Sequence, residues 1–269
     1  MNPQFEARER LQTSILRALF ERTEKDEIAL KGGMALRVSL HSHRATKDID
    51  ISGNPDVPVA KLRKKIRAAI QSAIRQVGLT DAQIGDPKQT ETTSRWKVRG
   101  KLSNGLDVTL TVEMSARPPF AEDHITTKLY SPPKPHRIGP FFVNLYDEPS
   151  LVVAKILALT DEMRTALRDL YDLHLLIEQG ATPAQDLFRR MGRGEIAGAL
   201  QRLPAKLDIM RWPLFQQELM PYLPDEVSSR LSENWYESMK TSVYRTVLDW
   251  LQKALESATA PAEAVSHKK

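Results

Sequence analysis

No cysteine occurs in the chain, which excludes disulfides and thiolate metal sites and makes a reducing cytoplasm the expected setting. Long hydrophobic runs are missing too. The most apolar stretch, Leu151 to Leu159, is short and carries Lys155, so no membrane span is expected. The N-terminal residues lack the hydrophobic region of a signal peptide. No internal repeat is visible. Neither sign of charge dominates: the formal net charge is +5, a mildly basic balance that suits a polyanionic partner and is equally common in proteins that touch none. What the chain does have is length and apolar content. Its 269 residues, 41% of them hydrophobic, can bury one good core or two smaller ones.

The chain is organised around the stretch from Leu30 to Ser52. Ile28 and Leu30 read as the end of a short strand, Gly32-Gly33 break it, and Met34 to Leu40 have helix-forming composition. Two glycines between a strand and a helix let the backbone approach a ligand closely, and the free N–H groups of the helix start favour an anion. After a polar loop, Asp48-Ile49-Asp50-Ile51 alternates with period two, so both carboxylates point to one face of a strand and both isoleucines to the other. Paired carboxylates repel, and a divalent cation is their natural partner. A phosphate cradle followed by paired acidic ligands describes a site for a nucleoside triphosphate with magnesium.

That order, Gly-Gly followed by Asp-x-Asp, is the pattern of the nucleotidyltransferase superfamily. The spelling narrows it. Leu30-Lys31-Gly32-Gly33-Met34-Ala35-Leu36 and Arg44-Ala45-Thr46-Lys47-Asp48-Ile49-Asp50-Ile51 resemble the AbiEii-like and MenT-like nucleotidyltransferases of bacterial toxin–antitoxin systems. Those usually show Lys-Gly-Gly-Thr-Ala-Leu and Arg-x-Ser-x-Asp-x-Asp. Here Met34 stands in place of the first hydroxyl residue, while Thr46 keeps the second. The resemblance implies an α/β (α+β) fold: a nucleotidyltransferase-like mixed sheet with flanking helices, followed by a helical C-terminal region. It implies that Lys31, Gly32, Gly33 and Thr46 bind the nucleotide, and that Asp48 and Asp50 hold Mg²⁺ or Mn²⁺.

Along the chain, Asn2-Pro3 reads as a helix cap, and Leu11, Ile15, Leu16, Leu19 and Phe20 give an opening helix beside the catalytic strands. A second helix carries the stripe Val59, Leu62, Ile66, Ile70, Ile74 and Val77 and stops at Gly78. Its outer face holds Lys61, Arg63, Lys64, Lys65, Arg67 and Arg75, either a solvated face or a contact for a nucleic-acid backbone. Thr92 to Leu102 and Leu106 to Met114 read as strands joined through Ser103-Asn104-Gly105. Asp107, Thr109, Thr111 and Glu113 share one face of the second strand. Thr-Val-Glu-Met-Ser-Ala-Arg resembles the family's Ile-Glu-Ile-Ser-x-Arg, which makes Glu113, rather than Asp107, the third carboxylate and metal ligand. The proline-rich stretch from Arg117 to Pro140 holds a short strand at Ile125 to Leu129, and its Lys128, Lys134, His136 and Arg137 either edge a groove or form a plain loop. Phe141 to Leu145 reads as a last strand.

The second half is helical. Lys155 sits among apolar neighbours and must snorkel outward or meet an anion, since a bare buried ammonium is costly. An ion pair with Asp169, stapling two helices, satisfies it. So does a phosphate. Ala154-Lys155-Ile156-Leu157-Ala158-Leu159, Arg164, then Arg168-Asp169-Leu170-Tyr171-Asp172-Leu173 resembles the family's Lys-x-x-Ala-Leu…Arg…Arg-Asp-x-Tyr-Asp-Leu. The resemblance implies that Lys155 contacts nucleotide phosphate, that Asp169 supports catalysis, and that Asp172 belongs to the nucleotide site. Beyond Gly180, helical periods through Leu187, Ile196, Leu200 and Leu203 and around Val227 to Leu255 are interrupted by Pro204, Pro213, Pro221 and Pro224. Met210-Arg211-Trp212 and Trp235-Tyr236 suit a core as well as a binding surface. The expected organisation is a nucleotidyltransferase domain at 1–146, a helical domain completing the active site at 147–257 and a disordered tail at 258–269. The implied activity is transfer of nucleotides from a triphosphate to RNA, at the 3′ end of tRNA, with pyrophosphate released and translation and growth blocked. A cognate antitoxin is implied, not necessarily in direct contact. The alternatives are transfer to a protein or small molecule, a non-catalytic nucleotide- or RNA-binding module, and a kinase-like enzyme.

Overall fold

The computed structural model describes residues 3–117, 120–165 and 167–257. Asn2 and the expected tail 258–269 lie outside the described residues. Two compact units divide the chain: Met1–Asp147 with Met220–Arg230, and Glu148–Leu219 with Leu231–Lys269.

The first unit is a mixed sheet with helices. Helix α1 (Pro3–Phe20) precedes strand β1 (Ile28–Lys31), which runs directly into α2 (Gly32–Leu40). Strand β2 (Asp48–Gly53) follows, then α3 (Val59–Val77), β3 (Thr80–Gln89), β4 (Thr93–Lys101), β5 (Asp107–Ser115), β6 (Ile125–Tyr130) and β7 (Phe141–Tyr146). The strand order is β3-β4-β5-β2-β1-β7-β6. β2 pairs with β1 antiparallel and with β5 parallel, and β7 joins β1 parallel, so the two motif strands lie at the centre.

Alternation in these strands sorts the two faces. Ile28, Leu30, Ile49, Ile51, Val98, Val112, Met114, Val143 and Leu145 are completely buried on one face. The stripes Leu11, Ile15, Leu16 and Leu19 of α1 and Leu62, Ile66 and Ile70 of α3 are buried as well, and the two helices pack on each other. A Cβ at Gly53 would meet Leu62 at 2.9 Å, which sets α3 against this face. Each fully buried side chain of this kind contributes about 1.5–3 kcal/mol. α3 ends where Gly78 takes a left-handed conformation, φ +74°, its N–H reaching the carbonyls of Ile74 and Arg75.

The hairpin signal at Ser103-Asn104-Gly105 is realised: Asn104 Oδ1 accepts from the Leu106 N–H, and Leu102 N–H donates to Leu106 O. Strand β3 has no counterpart in the sequence reading. It is exposed nearly throughout, carries Pro87 and shows two register shifts against β4. An edge strand with no buried face needs no apolar alternation, and only an edge tolerates the proline.

The segment Met220–Arg230, containing α9 (Asp225–Ser228), belongs to the first unit although it follows most of the second in sequence. Its Tyr222 ring lies 5.0 Å from the Phe5 ring and 4.9 Å from Lys47 Nζ, and its carbonyl accepts from the Ala45 N–H at 2.7 Å.

The second unit comprises α4 (Glu148–Thr160), α5 (Leu167–Glu178), α6 (Gln185–Met191), α7 (Arg193–Ile209), α8 (Trp212–Glu218) and α10 (Glu233–Ser257). Pro204 does not interrupt its helix, as the sequence pattern suggests. α7 runs through it. Trp212, Phe215 and Tyr236 form core: Phe215 stacks on Trp212 and meets Tyr236 at 4.8 Å, and the buried Tyr236 hydroxyl donates to Met210 O at 2.7 Å. Among the described residues no helix is long and apolar enough to cross a membrane.

Candidate active site

The central strands bring distant residues into one row. Lys31 pairs with Asp50 across β1 and β2, Asp50 with Glu113 across β2 and β5, and Glu113 with Arg95 across β5 and β4. Directly opposed residues point to the same face of a sheet, on strands about 4.8 Å apart. The row therefore reads cation, carboxylate, carboxylate, cation. It lies on the face opposite the isoleucines, with Asp48 two residues along from Asp50. Asp107 is at the far end of β5, opposite Lys101, so the register sets Glu113 and not Asp107 beside Asp50.

Like charges directly opposite each other destabilise a sheet. Here the flanking cations offset the two carboxylates. Arg95 grips Glu113 Oε2 through Nε at 2.7 Å and Nη2 at 2.5 Å. Burial pushes the Lys31 ammonium below its usual range while Asp50 and Glu113 pull it up, and Arg117 adds to the fall. Helix α1 contributes Arg8, whose Nε donates to Thr109 O at 3.0 Å. Burial lowers the Arg8 pKa against the raising influence of Asp48.

The glycines are shaped by this row. Gly32 has φ +68°, a conformation that disfavours any side chain, and a Cβ there would overlap Asp50 Oδ2. A Cβ on Gly33 would lie 2.7 Å from Arg44 Nη2 and 3.0 Å from Thr46 Cγ2. The Gly-Gly turn and the Asp-x-Asp strand are thus in direct contact, and the start of α2 is packed against the carboxylates.

The Thr46 hydroxyl is engaged within the protein. Its hydroxyl accepts from Gln12 Nε2 at 2.9 Å and donates to Asp48 O at 3.2 Å, and the residue is buried. Through those bonds Thr46 ties the entry of β2 to α1. Met34 is fully buried, its sulfur 4.0 Å from that hydroxyl.

In the second unit, Lys155 Nζ is 2.7 Å from Asp169 Oδ1 and 2.7 Å from Asp172 Oδ2. Lys155 and Asp169 are each 7% exposed and Asp172 not at all. A carboxylate without accessible surface and bonded to a lysine holds that lysine in place. The three form a buried network between α4 and α5.

The basic face of α3 is largely occupied. Lys61 and Lys65 both pair with the buried Glu27, Arg67 with Asp86, and Arg63 with Ser94 and Thr90. Lys64 and Arg75 are exposed. Of the four cations in the proline-rich stretch, His136 is buried, its Nδ1 3.4 Å from Thr13 Oγ1, so it does not edge a groove.

Sequence reasoning missed Arg95, Arg8 and Gln12. Arg95 was within reach: the turn at Ser103-Asn104-Gly105 pairs Lys101 with Asp107, and counting outward lands Arg95 on Glu113. Arg8 and Gln12 reach the site from a helix, and no local pattern marks them.

Among the described residues no group of three or more histidine or acidic side chains is arranged to hold a metal ion. The donor chemistry nevertheless suits one, because Asp48, Asp50 and Glu113 supply the hard oxygen ligands that Mg²⁺ takes, from one face of adjacent strands.

The arrangement is that of a nucleotidyltransferase, and solved structures share the fold. JHP933 of Helicobacter pylori is 18% identical, with 96% of this chain and 94% of that one covered and a TM-score of 0.55. MenT4, a nucleotidyltransferase toxin of Mycobacterium tuberculosis, is 14% identical over 96% of this chain and 94% of its own, also with a TM-score of 0.55. The sequence goes further: the model of the AbiEii nucleotidyl transferase toxins of type IV toxin–antitoxin systems matches residues 14–252, and the chain belongs to that family. No curated protein matches it significantly.

Proposed function

We propose that this nucleotidyltransferase transfers nucleotides from a nucleoside triphosphate to the 3′ end of an RNA, with tRNA as the acceptor. The observation that carries the reading is the row Lys31–Asp50–Glu113–Arg95 set against the Gly32-Gly33 turn. In the reaction the acceptor hydroxyl loses its proton as its oxygen bonds to the α-phosphorus, and the bond to pyrophosphate breaks with its electron pair leaving on that group. Backbone N–H groups at the start of α2 and the Lys31 ammonium bind the triphosphate. Asp48 and Asp50, with Glu113, would hold Mg²⁺ or Mn²⁺, which when bound supplies charge neutralisation at the phosphates. Arg95 holds the Glu113 carboxylate beside Asp50, and Gln12 and Thr46 hold the start of β2. Asp169 and Asp172 orient Lys155, which we assign to the triphosphate by likeness to the family motif. The metal site belongs to the unit Met1–Asp147 with Met220–Arg230, and Lys155 to the helical unit.

An extended tRNA end cannot be charged, so the consequence in a cell is arrested translation and growth, relieved by an antitoxin that need not bind the toxin. The setting is the cytoplasm, where tRNA and triphosphates are found. Incubation with total tRNA and each labelled nucleoside triphosphate in turn, with Mg²⁺ or with chelator, tests the proposal. Labelled tRNA and released pyrophosphate are expected with at least one triphosphate. Asp48→Ala and Asp50→Ala should lower the rate on the order of a thousandfold. Absence of tRNA label with every triphosphate refutes the acceptor, and near-normal labelling by either folded variant refutes the metal assignment.

A further inference from the structure

Strand β4 presents a second charged feature. Arg95, Lys97, Arg99 and Lys101 alternate with the buried Trp96 and Val98, so all four point to the face that carries Asp50 and Glu113. At about 6.7 Å per two residues the ladder is roughly 20 Å long. On one side β5 places Thr111 opposite Lys97 and Thr109 opposite Arg99, and on the other β3 places Gly85 and Gln83 there. Asp107 lies opposite Lys101 at the far end of the ladder, while among the described residues no acidic residue stands opposite Lys97 or Arg99. At the other end, next to the carboxylate row, Arg95 is held by Glu113. Lys88 adds a fifth cation, directly opposite Arg95 on β3.

This arrangement works against folding. Like charges opposite each other or two apart on one face repel, and the sheet gains nothing from them. Strand β4 itself presents no aromatic ring on this face for a base to stack on, since Trp96 points inward. A regular line of cations, faced by carboxylates only at its two ends and without stacking groups on the strand, suits a phosphate backbone and reads no sequence. It ends at Glu113, in the row of residues that carries the proposed chemistry.

We infer that the outer face of β4 is the surface along which the RNA acceptor's backbone lies, with its end directed to the Asp50–Glu113 row. The inference rests on the RNA-acceptor reading above. It assigns the contact to this strand and not to α3, whose cations are mostly held by Glu27, Asp86, Ser94 and Thr90.

The test is fluorescence anisotropy of a labelled single-stranded RNA of about a dozen nucleotides, titrated at several salt concentrations without triphosphate. The variants are Lys97→Gln/Arg99→Gln and, for comparison, Lys64→Gln/Arg75→Gln on α3. Removing two phosphate contacts should reduce the slope of log affinity against log salt by about 1.4 and weaken binding roughly 25-fold near 0.1 M salt. The α3 variant should bind as wild type does, and neither variant should melt below wild type. Wild-type binding with an unchanged slope in Lys97→Gln/Arg99→Gln overturns the β4 surface and leaves the RNA reading standing. A loss confined to the α3 variant moves the contact to that helix and overturns the inference. If wild type binds no RNA even at low salt, the acceptor reading and this surface fail together.

Discussion

Replacing Lys155 by Met keeps most of the aliphatic stem and removes one ammonium. What that costs is set by the two carboxylates left behind. Lys155 Nζ lies 2.7 Å from both Asp169 and Asp172, and Asp172 has no accessible surface. Removing one member of a buried ion pair costs about 3–5 kcal/mol, because the partner stays buried without compensation. At about 2–4 °C per kcal/mol for a chain of this size, the melting temperature should fall by roughly 6–20 °C at neutral pH. The loss should depend on pH. In the variant Asp172 escapes its penalty by taking up a proton, which raises its folded pKa above the unfolded value near 3.9. The folded variant then binds more protons than the unfolded chain, so its stability increases as pH falls, and the deficit shrinks toward about pH 5. Thermal melts of both proteins at neutral and mildly acidic pH measure this. Lys155→Met/Asp172→Asn should recover part of the loss. A deficit below about 1 kcal/mol, or one that does not change with pH, would refute the buried-network account. Triphosphate use per folded molecule, measured on the same variant, separately tests the proposed phosphate contact.

Three further outcomes are expected. Burial raises the Glu27 carboxyl, but hydrogen bonds from Lys61, Lys65 and the Glu24 N–H bring it down to about 2. Its contribution to stability is therefore present above the unfolded pKa near 4.5 and lost as pH falls toward 2. Glu27→Gln should cost on the order of 1 kcal/mol at neutral pH, allowing for water screening at Lys61, and the gap from wild type in urea melts should close in acid. Gly32→Ala should destabilise by roughly 1–2 kcal/mol and reduce nucleotide transfer about a hundredfold, because the methyl displaces Asp50. Gly78→Ala carries similar backbone strain in open space and should leave transfer intact, so equal activity losses would show that strain alone is responsible. Glu113→Gln should lose about a hundredfold or more in transfer while Asp107→Asn retains most of it, and the reverse order would mean that Glu113 is not the third carboxylate.

Local pattern alone determined much of this molecule. The step from strand to helix at Gly32-Gly33, the two faces of Asp48 to Ile51, the stripe of α3 and the turn at Ser103-Asn104-Gly105 depend on backbone preference and side-chain period, which neighbouring residues decide. The hairpin turn even determined a register, and with it the opposition of Arg95 and Glu113. Tertiary structure decided whatever depends on which elements meet. The pairing of β2 with β5, which puts Glu113 beside Asp50, joins strands separated by a helix and a hairpin. The burial of Glu27 turned Lys61 and Lys65 from an open cationic face into ion-pair partners. The hydrogen bond from Gln12 of α1 to the Thr46 hydroxyl depends on how α1 packs beside β2. β3 left no trace in the residue pattern, since a strand exposed on both faces buries nothing and so needs no alternation. Its existence follows only from the hydrogen bonds that a neighbouring strand offered it.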